Sequence, residues 1–302
     1  MKDKPKVGIV GLGMVGTPLA RYLREHRGYQ RGRNLFLFDK DPQKKFNDDI
    51  NLAEIIFIAV PSPRATGGNA DISIVESVFS SIRGQKTVVI KSTVPPGTSQ
   101  RFQKEYPRLK VLFNPEFLTE KNSWQDFIKP DRQIVGFVRP NHLKFAQKVL
   151  NILPPAPFIS PGKKIKITAT EAEIIKYAGN VFLARKVNFA NLLAKMAEKL
   201  NSNYHNIKIG FGSDHRIGMS QLEVDHGGYR GFGGFCLPKD LDALIDSLDG
   251  YDLKDCVELL RADRKFNEGV LKSQGLTLED VSVHDQEWVK RKTQKLKKNK
   301  ND

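Results

Sequence analysis

Short apolar runs alternate with longer stretches of mixed polarity in the first half of the chain. Six such runs can be recognised, at Val7–Val10, Leu35–Phe38, Ile55–Val60, Thr87–Ile90, Val111–Phe113 and Ile134–Val138. Each run is almost entirely apolar and rich in β-branched or aromatic residues, which is typical of strands covered on both faces. Because helix-compatible stretches separate the runs, the pattern predicts an α/β fold, a Rossmann-type parallel sheet with crossover helices.

The pattern changes after a proline-rich stretch at residues 154–157, which Pro161 and Gly162 follow. From Thr170 to Leu200 the apolar positions repeat with helical spacing. The acidic Glu171 and Glu173 lie near the start and the basic Lys195 and Lys199 near the end, as the helix dipole favours. We therefore expect three parts: an α/β domain at residues 1–160, an all-helical domain at residues 161–275 and a basic tail at residues 276–302.

Composition excludes several classes of protein. No apolar run approaches the roughly 20 residues of a membrane span, and the N-terminus enters the first predicted strand without room for a signal peptide. We therefore expect a cytoplasmic protein without a membrane partner. The two cysteines, Cys236 and Cys256, form no CxxC pair and the histidines lack ligand spacing, so we expect neither a disulfide framework nor a metal site.

Much of the net charge of +15 lies at the end of the sequence. Residues 289–302 contain six Lys and one Arg against one Asp, a net charge of +6. A charge run of this kind is typical of a solvated tail, and a tether to RNA or to an anionic surface is the alternative.

A glycine-rich motif lies between the first predicted strand and a helix-compatible stretch that begins at Thr17. In GxGxxG the first glycine permits a tight turn, the second lets the backbone approach a pyrophosphate, and the third lets helix and strand pack closely. Asp39 ends the second predicted strand, where a carboxylate binds ribose hydroxyls and favours NAD over NADP, although Lys44 weakens that preference. The candidate cofactor residues here are Gly11, Gly13, Met14, Val15, Gly16, Asp39 and Lys44.

Four further segments carry candidate chemistry. They are the hydroxyl-rich Lys91–Thr98 after the fourth predicted strand, Asn114–Glu120, the pair Lys176 and Asn180 on the long helix, and the thiol-bearing Gly231–Asp240. If Asn114–Glu120 were helical, Glu116 and Glu120 would share one face. Taken singly, each segment also has a purely structural explanation: a solvated helix face, a lysine whose stem covers the core, or a cysteine buried as a small apolar residue.

Together, the order and spacing of these segments resemble the UDP-glucose/GDP-mannose dehydrogenase family. The family motifs GxGxxG, STVPPGT, NPEFL, KxxxN and GFGGxCxxKD match Gly11–Gly16, Ser92–Thr98, Asn114–Leu118, Lys176–Asn180 and Gly231–Asp240. Residues 60–63 are similar to the family's cofactor-contacting turn, and Asp214–Gly218 to its substrate-contacting loop. The resemblance extends from about Val7 to Asn267, and its most specific part is the cysteine motif.

The resemblance implies a four-electron oxidation of the C6 alcohol of a nucleotide sugar, UDP-glucose first and GDP-mannose second, with NAD as the cofactor. Cys236 would attack the intermediate aldehyde, and Glu116 would activate the water that hydrolyses the resulting thioester. Lys176 and Asn180 would stabilise charge on the oxygen, and Thr93 and Asp240 would hold a water near the alcohol. Cys256 lies outside every motif and is expected to be structural.

The same resemblance supplies the remaining expected contacts. Additional cofactor contacts are expected at Val60, Ser62, Ser92, Thr93 and Glu120. Substrate contacts are expected at Glu116, Phe117, Leu118, Lys176, Asn180, Arg216, Phe232 and Gly233. A homodimer through the long helix is expected, and a nucleic-acid partner is not.

Three departures from the family pattern affect these expectations. Lys121 replaces a usual glycine, residues 219–230 form a longer connection than usual, and the sequence ends at Asp302 where family members continue into a further nucleotide-binding-like domain. We therefore expect a partner subunit or a separate chain to complete the nucleotide pocket.

Two rival functions remain open from the residues. A two-electron dehydrogenase of small β-hydroxy acids would share the fold and the Lys176 and Asn180 helix, and it would need no thiol. A non-catalytic nucleotide- or nucleic-acid-binding relative would use the basic tail, and its binding would depend steeply on salt.

Overall fold

Eight short strands build the sheets of the computed structural model, which describes residues 4–65, 68–119, 122–225 and 228–282. The strands are β1 (Val7–Val10), β2 (Leu35–Phe38), β3 (Ile55–Ile58), β4 (Thr87–Ile90), β5 (Lys110–Phe113), β6 (Arg132–Ile134), β7 (Gly136–Phe137) and β8 (Phe158–Ser160). Six of them form one sheet in the order β2-β1-β3-β4-β5-β7, and β6 and β8 form a separate parallel pair.

The large sheet confirms the predicted parallel topology for its first five strands. Val7 of β1 lies in register with Leu35 of β2 and with Ile55 of β3, and both pairings are parallel. The last strand differs from the prediction, because β7 pairs antiparallel with β5. The predicted run Ile134–Val138 is split between β6 and β7, since Val135 leaves the large sheet and donates its N–H to Ser160 O of β8 at 2.8 Å.

The helices of the first part are α1 (Gly16–Arg27), α2 (Ser73–Ser81), α3 (Thr98–Glu105), α4 (Ser123–Ile128) and α5 (Leu143–Leu150). The second part contains α6 (Ala169–Lys199), α7 (Tyr204–Gly212), α8 (Cys236–Gly250), α9 (Lys254–Lys272) and α10 (Leu278–Val281). The long helix α6 begins and ends within one residue of its predicted bounds. Helix α8 was not predicted, because its first turn belongs to the segment Gly231–Asp240, which was considered only as a thiol-bearing motif.

Both faces of the large sheet are covered, as the continuous apolar strands predicted. Successive side chains of a strand point to opposite faces. Ile9 and Phe57 therefore belong to a buried cluster with residues of α1 and α5, whereas Val10 and Ile58 belong to a second cluster with residues of α2 and α3. The N-terminal alanines of α6, Ala169 and Ala172, are also fully buried in the second cluster.

The chain divides into two compact units, residues 1–63 with 70–176, and residues 64–69 with 177–302. The boundary between the units falls within α6. In the second unit, Val181, Ala184 and Val187 of α6 form an apolar core with Leu241 of α8 and Leu260 of α9. This unit is helical, in agreement with the predicted fold class. Within the described ranges, no helix combines the length and apolar character needed to cross a membrane.

Candidate active site

The carboxyl ends of the parallel strands collect the predicted cofactor residues of the first unit. In a doubly wound sheet, ligands bind at this edge, beside the point where the strand order reverses. The order β2-β1-β3 places this point between β1, which is followed by Gly11, and β3, which is followed by Ala59 and Val60. The sheet therefore supports a nucleotide site at the predicted glycine loop.

The three glycines of the loop are constrained by different neighbours. Gly11 adopts a φ of +90°, and a Cβ there would lie 2.5 Å from Ala59 O. A Cβ on Gly16 would lie 1.9 Å from Gly11 O, so the fold itself requires both glycines. A Cβ on Gly13 would meet no atom within 4 Å. The open space at Gly13 fits a cofactor whose pyrophosphate approaches the backbone.

Asp39 is anchored against this loop. Its Oδ2 accepts hydrogen bonds from Leu12 N (2.7 Å) and Lys44 Nζ (2.9 Å), and its Oδ1 accepts one from Asp41 N (2.9 Å). Burial alone would raise the pKa of Asp39, but these N–H groups and the Lys44 ammonium together hold it below its ordinary value. The carboxylate therefore stays ionised and would repel a phosphate on the ribose, as expected for an NAD site.

The other predicted cofactor contacts lie at neighbouring strand ends. Ser92 Oγ donates a hydrogen bond of 2.7 Å to Val60 O, which joins the segment after β4 to the turn after β3. Ser62 is buried, and Thr93 is half-buried next to Ser92, as are Met14 and Val15 in the glycine loop. Glu120 lies outside the described residues, as does Lys121.

Glu116 and Lys176 form a buried ion pair in the first unit. Lys176 Nζ lies 2.6 Å from Glu116 Oε1, and both side chains are less than a tenth exposed. Glu116 Oε2 also accepts a hydrogen bond from Leu118 N at 2.7 Å. Burial by itself would raise the pKa of Glu116, but the charge and hydrogen bond of Lys176, the Leu118 N–H and the charge of Lys91 together lower it. Glu116 is therefore an ionised carboxylate.

The segment that carries Glu116 is not helical. Residues 114–119 have no regular secondary structure, so the shared helix face imagined for Glu116 and Glu120 does not form. The Asn114 side chain is fully buried and donates to Ile134 O at 2.7 Å, and the Glu116 carboxylate accepts the Leu118 N–H, so these contacts fix the irregular path of the segment. Within this segment Phe117 lies under the guanidinium of Arg132, with Arg132 Cζ 3.8 Å from the ring centroid.

In the second unit, Asn180, Asp240 and Lys239 form one polar cluster. Asn180 Nδ2 donates to Asp240 Oδ2, and Lys239 Nζ pairs with Asp240 Oδ1. Asp240 is 1% exposed, and these two contacts supply a hydrogen-bond partner for each of its carboxyl oxygens. Cys236 is the first residue of α8 and is half-buried, which places it one helical turn before Asp240. The predicted pairing of a thiol with polar groups close behind it is thus built by one helix.

The remaining predicted substrate residues are placed differently from one another. Phe232 is 2% exposed and belongs to the apolar core of the second unit, and a Cβ on Gly233 would lie 2.3 Å from Tyr229 Oη. Both residues are therefore held by the protein interior. Arg216 is exposed and pairs with Asp214 of its own loop. Leu118 is half-buried beside Phe117.

Two anchoring residues were missed from the sequence. Glu173, fully buried on α6, accepts hydrogen bonds from Gly97 N (2.7 Å) and Ser99 N (2.8 Å) at the start of α3, and burial raises its pKa to about 7. Asn267 of α9 binds Phe232 N (2.8 Å) and Phe232 O (3.0 Å) and fixes the backbone before Cys236. Glu173 stands three residues before Lys176, a spacing that could have suggested a shared role; nothing in the sequence marked Asn267.

Comparison with known proteins then decides the family. Residues 41–153 match the NAD binding domain, and residues 170–269 the central domain, of the UDP-glucose/GDP-mannose dehydrogenase family. The chain belongs to this family. The earlier recognition of its motifs is confirmed, and the matched N-terminal domain indicates NAD as the cofactor.

The named relatives match about three quarters of this chain. A UDP-glucose 6-dehydrogenase of Rickettsia felis is 35% identical over 232 residues, which is 74% of this chain and 49% of that protein. A putative UDP-glucose 6-dehydrogenase of Bacillus subtilis is 31% identical over 281 residues, which is 79% of this chain and 62% of that protein. The chain thus spans about half to three fifths of the length of these relatives.

Solved structures show the same fold. A UDP-glucose dehydrogenase from Pyrobaculum islandicum superposes with a TM-score of 0.72 at 28% identity, covering 88% of this chain and 68% of that one. A UDP-D-ManNAc dehydrogenase from Pyrococcus horikoshii gives a TM-score of 0.72 at 20% identity, covering 89% and 70%, and at that identity it supports the fold alone.

The different surroundings of Gly13 and Gly16 lead to a test. Gly16→Ala should lower the free energy of unfolding by about 1 to 3 kcal/mol, because its Cβ has no room beside Gly11 O. Gly13→Ala should change stability by less than about 0.5 kcal/mol but weaken NAD binding at least roughly tenfold, since its methyl group occupies the space left for the pyrophosphate. Urea unfolding and calorimetric titration with NAD measure the two effects. Unchanged NAD affinity in Gly13→Ala would contradict this assignment of the loop.

Proposed function

We propose that this protein oxidises the C6 primary alcohol of a nucleotide sugar to a carboxylate with NAD. The first intermediate is an aldehyde, and the second is a thioester between the sugar and Cys236. The observation that carries the proposal is the buried Glu116 and Lys176 ion pair, together with a helix that presents Cys236 one turn before the Asn180, Asp240 and Lys239 cluster. A two-electron oxidation would need no such thiol.

The first oxidation removes a hydride and a proton from the alcohol. Bound at the glycine loop, NAD would accept the hydride in this step and again in the second oxidation. We assign proton removal to a water held by Thr93 and Asp240, and the contact of Asp240 Oδ1 with Lys239 Nζ keeps this carboxyl group in place. Lys176 and Asn180 are assigned to the oxygen on which negative charge develops.

The second oxidation depends on Cys236. The thiol sulfur adds to the aldehyde carbon, and the resulting tetrahedral adduct carries an oxyanion that can push out the second hydride. The position of Cys236 supports this role, because unpaired N–H groups at a helix N-terminus stabilise nearby anions. Loss of the hydride leaves a thioester, in which the sugar carbon is at the oxidation level of the acid.

Hydrolysis of the thioester regenerates the thiol. We assign Glu116 as the base that takes a proton from the attacking water, which its ionised state permits. Lys176 would then stabilise the tetrahedral oxyanion as its contact with Glu116 weakens. The whole sequence consumes one water and two NAD for each sugar and releases the carboxylate, two NADH and protons.

UDP-glucose is the first proposed substrate and GDP-mannose the second. The names of the Rickettsia felis and Pyrobaculum islandicum relatives favour UDP-glucose. Phe117, stacked under Arg132, and its neighbour Leu118 are the proposed substrate contacts of the first unit, with Arg216 in the second. The domain limits at residues 160 and 275 are likewise proposals.

NADH formed per sugar tests the chemistry. Purified protein supplied with limiting UDP-glucose, GDP-mannose or related UDP-sugars should form two NADH per molecule of its preferred substrate. Cys236→Ala should lower the rate of acid formation at least about a thousandfold, because no other group supplies the covalent step. Cys256→Ala, on α9 and outside the motifs, is the matched control and should keep full activity.

One NADH per turnover, or full activity in Cys236→Ala, would instead establish a two-electron dehydrogenase. Such a result would reject the covalent mechanism while leaving the family and the cofactor in place.

We also propose a homodimer through α6. Along this helix, Phe182, Phe189, Met196 and Leu200 are apolar residues that are each about half exposed or more, and their spacing places them on one side. An apolar stripe of this size in water is typical of a protein interface. A second copy of α6 presents the same stripe, so a two-fold contact would bury both.

Charge placed on the stripe tests the dimer. Phe182→Glu with Met196→Glu should convert a dimer to a monomer in sedimentation velocity, because the two copies would bring like charges together in an apolar contact. Leu259→Glu, at an exposed apolar position of α9, is the control and should leave the dimer intact. A wild-type protein that sediments as a monomer at all concentrations would exclude this interface.

A further inference from the structure

A buried polar bridge crosses the carboxyl ends of three strands behind the candidate site. Lys91, 4% exposed, follows β4, and its Nζ lies 2.7 Å from Asn114 Oδ1. Asn114, fully buried, follows β5 and donates from Nδ2 to Ile134 O at 2.7 Å and to Gln133 Oε1 at 3.3 Å, both in β6. The bridge therefore links the chain segments at the ends of β4, β5 and β6.

The two ends of this bridge stand next to proposed catalytic residues. Lys91 precedes Ser92 and Thr93, and Asn114 precedes Pro115 and Glu116. Backbone hydrogen bonds to the neighbouring strands continue here, with Lys91 N donating to Ile58 O and Asn114 N donating to Ile90 O, each at 2.8 Å, and Ser92 N donating to Ile58 O at 3.1 Å. The Lys91 and Asn114 side chains therefore form a direct link between the segment that leads to Thr93 and the segment that leads to Glu116.

The bridge buries the ammonium group of Lys91 at a position where an apolar side chain would be buried at a lower cost in free energy. The hydrogen-bond acceptors of Lys91 are neutral amide and carbonyl oxygens of Asn114, and burying an ammonium among such groups is unfavourable. Burial lowers the pKa of Lys91 to about 8; the charge of Glu116 opposes this effect and the charge of Lys176 adds to it. A buried charge of this kind needs a reason other than stability.

The surroundings of Lys91 suggest that reason. Lys91 and Glu116 line the same cavity of about 260 Å³, together with Phe117, Leu118 and Arg132. The Lys91 charge thus acts on the carboxylate that the proposed hydrolysis uses as its base, and it lowers the pKa of that carboxyl group. Glu116 is already paired with Lys176, so Lys91 adds a second positive charge that remains when Lys176 shifts toward the substrate oxygen.

We propose that Lys91 is a positioning residue for the oxidation, which through Asn114 holds the Thr93 and Glu116 segments at a fixed separation and adds positive charge beside Glu116. Its catalytic consequence rests on the proposed function. Lys91 and Asn114 do not contact the nucleotide in this proposal. Replacing either residue should therefore lower turnover and leave substrate binding almost unchanged.

Kinetics of Lys91→Met test the catalytic part. Methionine has nearly the length of lysine without its charge, so it fills the site but breaks the bridge to Asn114. The kcat should fall roughly thirtyfold or more, while the KM for the nucleotide sugar and for NAD should change by less than about threefold. The control is Lys110→Met, at the opposite end of β5, where Nζ reaches Gln85 Oε1 in an exposed contact; it should retain wild-type kinetics.

Amide hydrogen exchange without substrate tests the positioning part independently of turnover. The Leu118 N–H, which donates to Glu116 Oε2, should exchange at least about tenfold faster in Lys91→Met, whereas the Val89 N–H in the core of β4 should be unchanged. If Lys91→Met does not fold, Asn114→Asp tests the bridge from its middle, because it keeps an acceptor for Lys91 and loses the donor to Ile134 O. The same split between kcat and KM, and the same local change in exchange, are expected.

Each outcome decides one point. Full activity in Lys91→Met overturns the proposal, and so does exchange that rises as much at Val89 as at Leu118, since Lys91 would then serve general stability. If the wild-type protein oxidises no nucleotide sugar, the proposed function fails. In that case the exchange of Leu118 still shows whether Lys91 holds the Glu116 segment.

Discussion

Glu116 and Lys176 bring opposite charges to 2.6 Å in a site from which water is largely excluded. Burying either charge without the other would be unfavourable, because an unpaired carboxylate or ammonium in the protein interior costs several kcal/mol. The pair therefore requires that the segment after β5 and the helix α6 meet in one arrangement. The hydrogen bonds of Glu173 to Gly97 and Ser99 repeat this requirement one turn earlier on α6, so that the helix is tied to the ends of both β4 and β5.

The parallel sheet brings the other candidate site residues of the first unit to the same edge as Glu116. Its carboxyl ends supply the glycine loop after β1, Asp39 after β2, Ser92 and Thr93 after β4, and Glu116 after β5. These groups stand on rigid strands with short connections, so their spacing is set by the sheet. In the second unit, helices position the polar groups. Cys236, Lys239 and Asp240 lie in the first turns of α8, and Asn180 lies on α6.

Much of this arrangement could be predicted from the sequence, and the parts that could not have physical reasons. Continuous apolar runs identified β1 to β5, since both faces of the large sheet are covered. The glycine and cysteine motifs located the site because those residue types are required by local geometry and chemistry. The antiparallel β7, the pairing of β6 with β8 and the irregular path of residues 114–119 depend on contacts between distant segments, such as Asn114 with Ile134, which no local pattern records. Helix α8 was not predicted because glycines lie directly before it in the sequence.

The central claim, that the ion pair serves a covalent intermediate on Cys236, is tested most directly by trapping that intermediate. Glu116→Gln keeps the size of the side chain but removes the base assigned to thioester hydrolysis. Incubated with UDP-glucose and NAD, then quenched in acid, this variant should carry a nucleotide-sugar acyl group on the peptide that contains Cys236, as detected by mass spectrometry. An unmodified Cys236 in a variant that still forms NADH, or an adduct on another residue, would contradict the account.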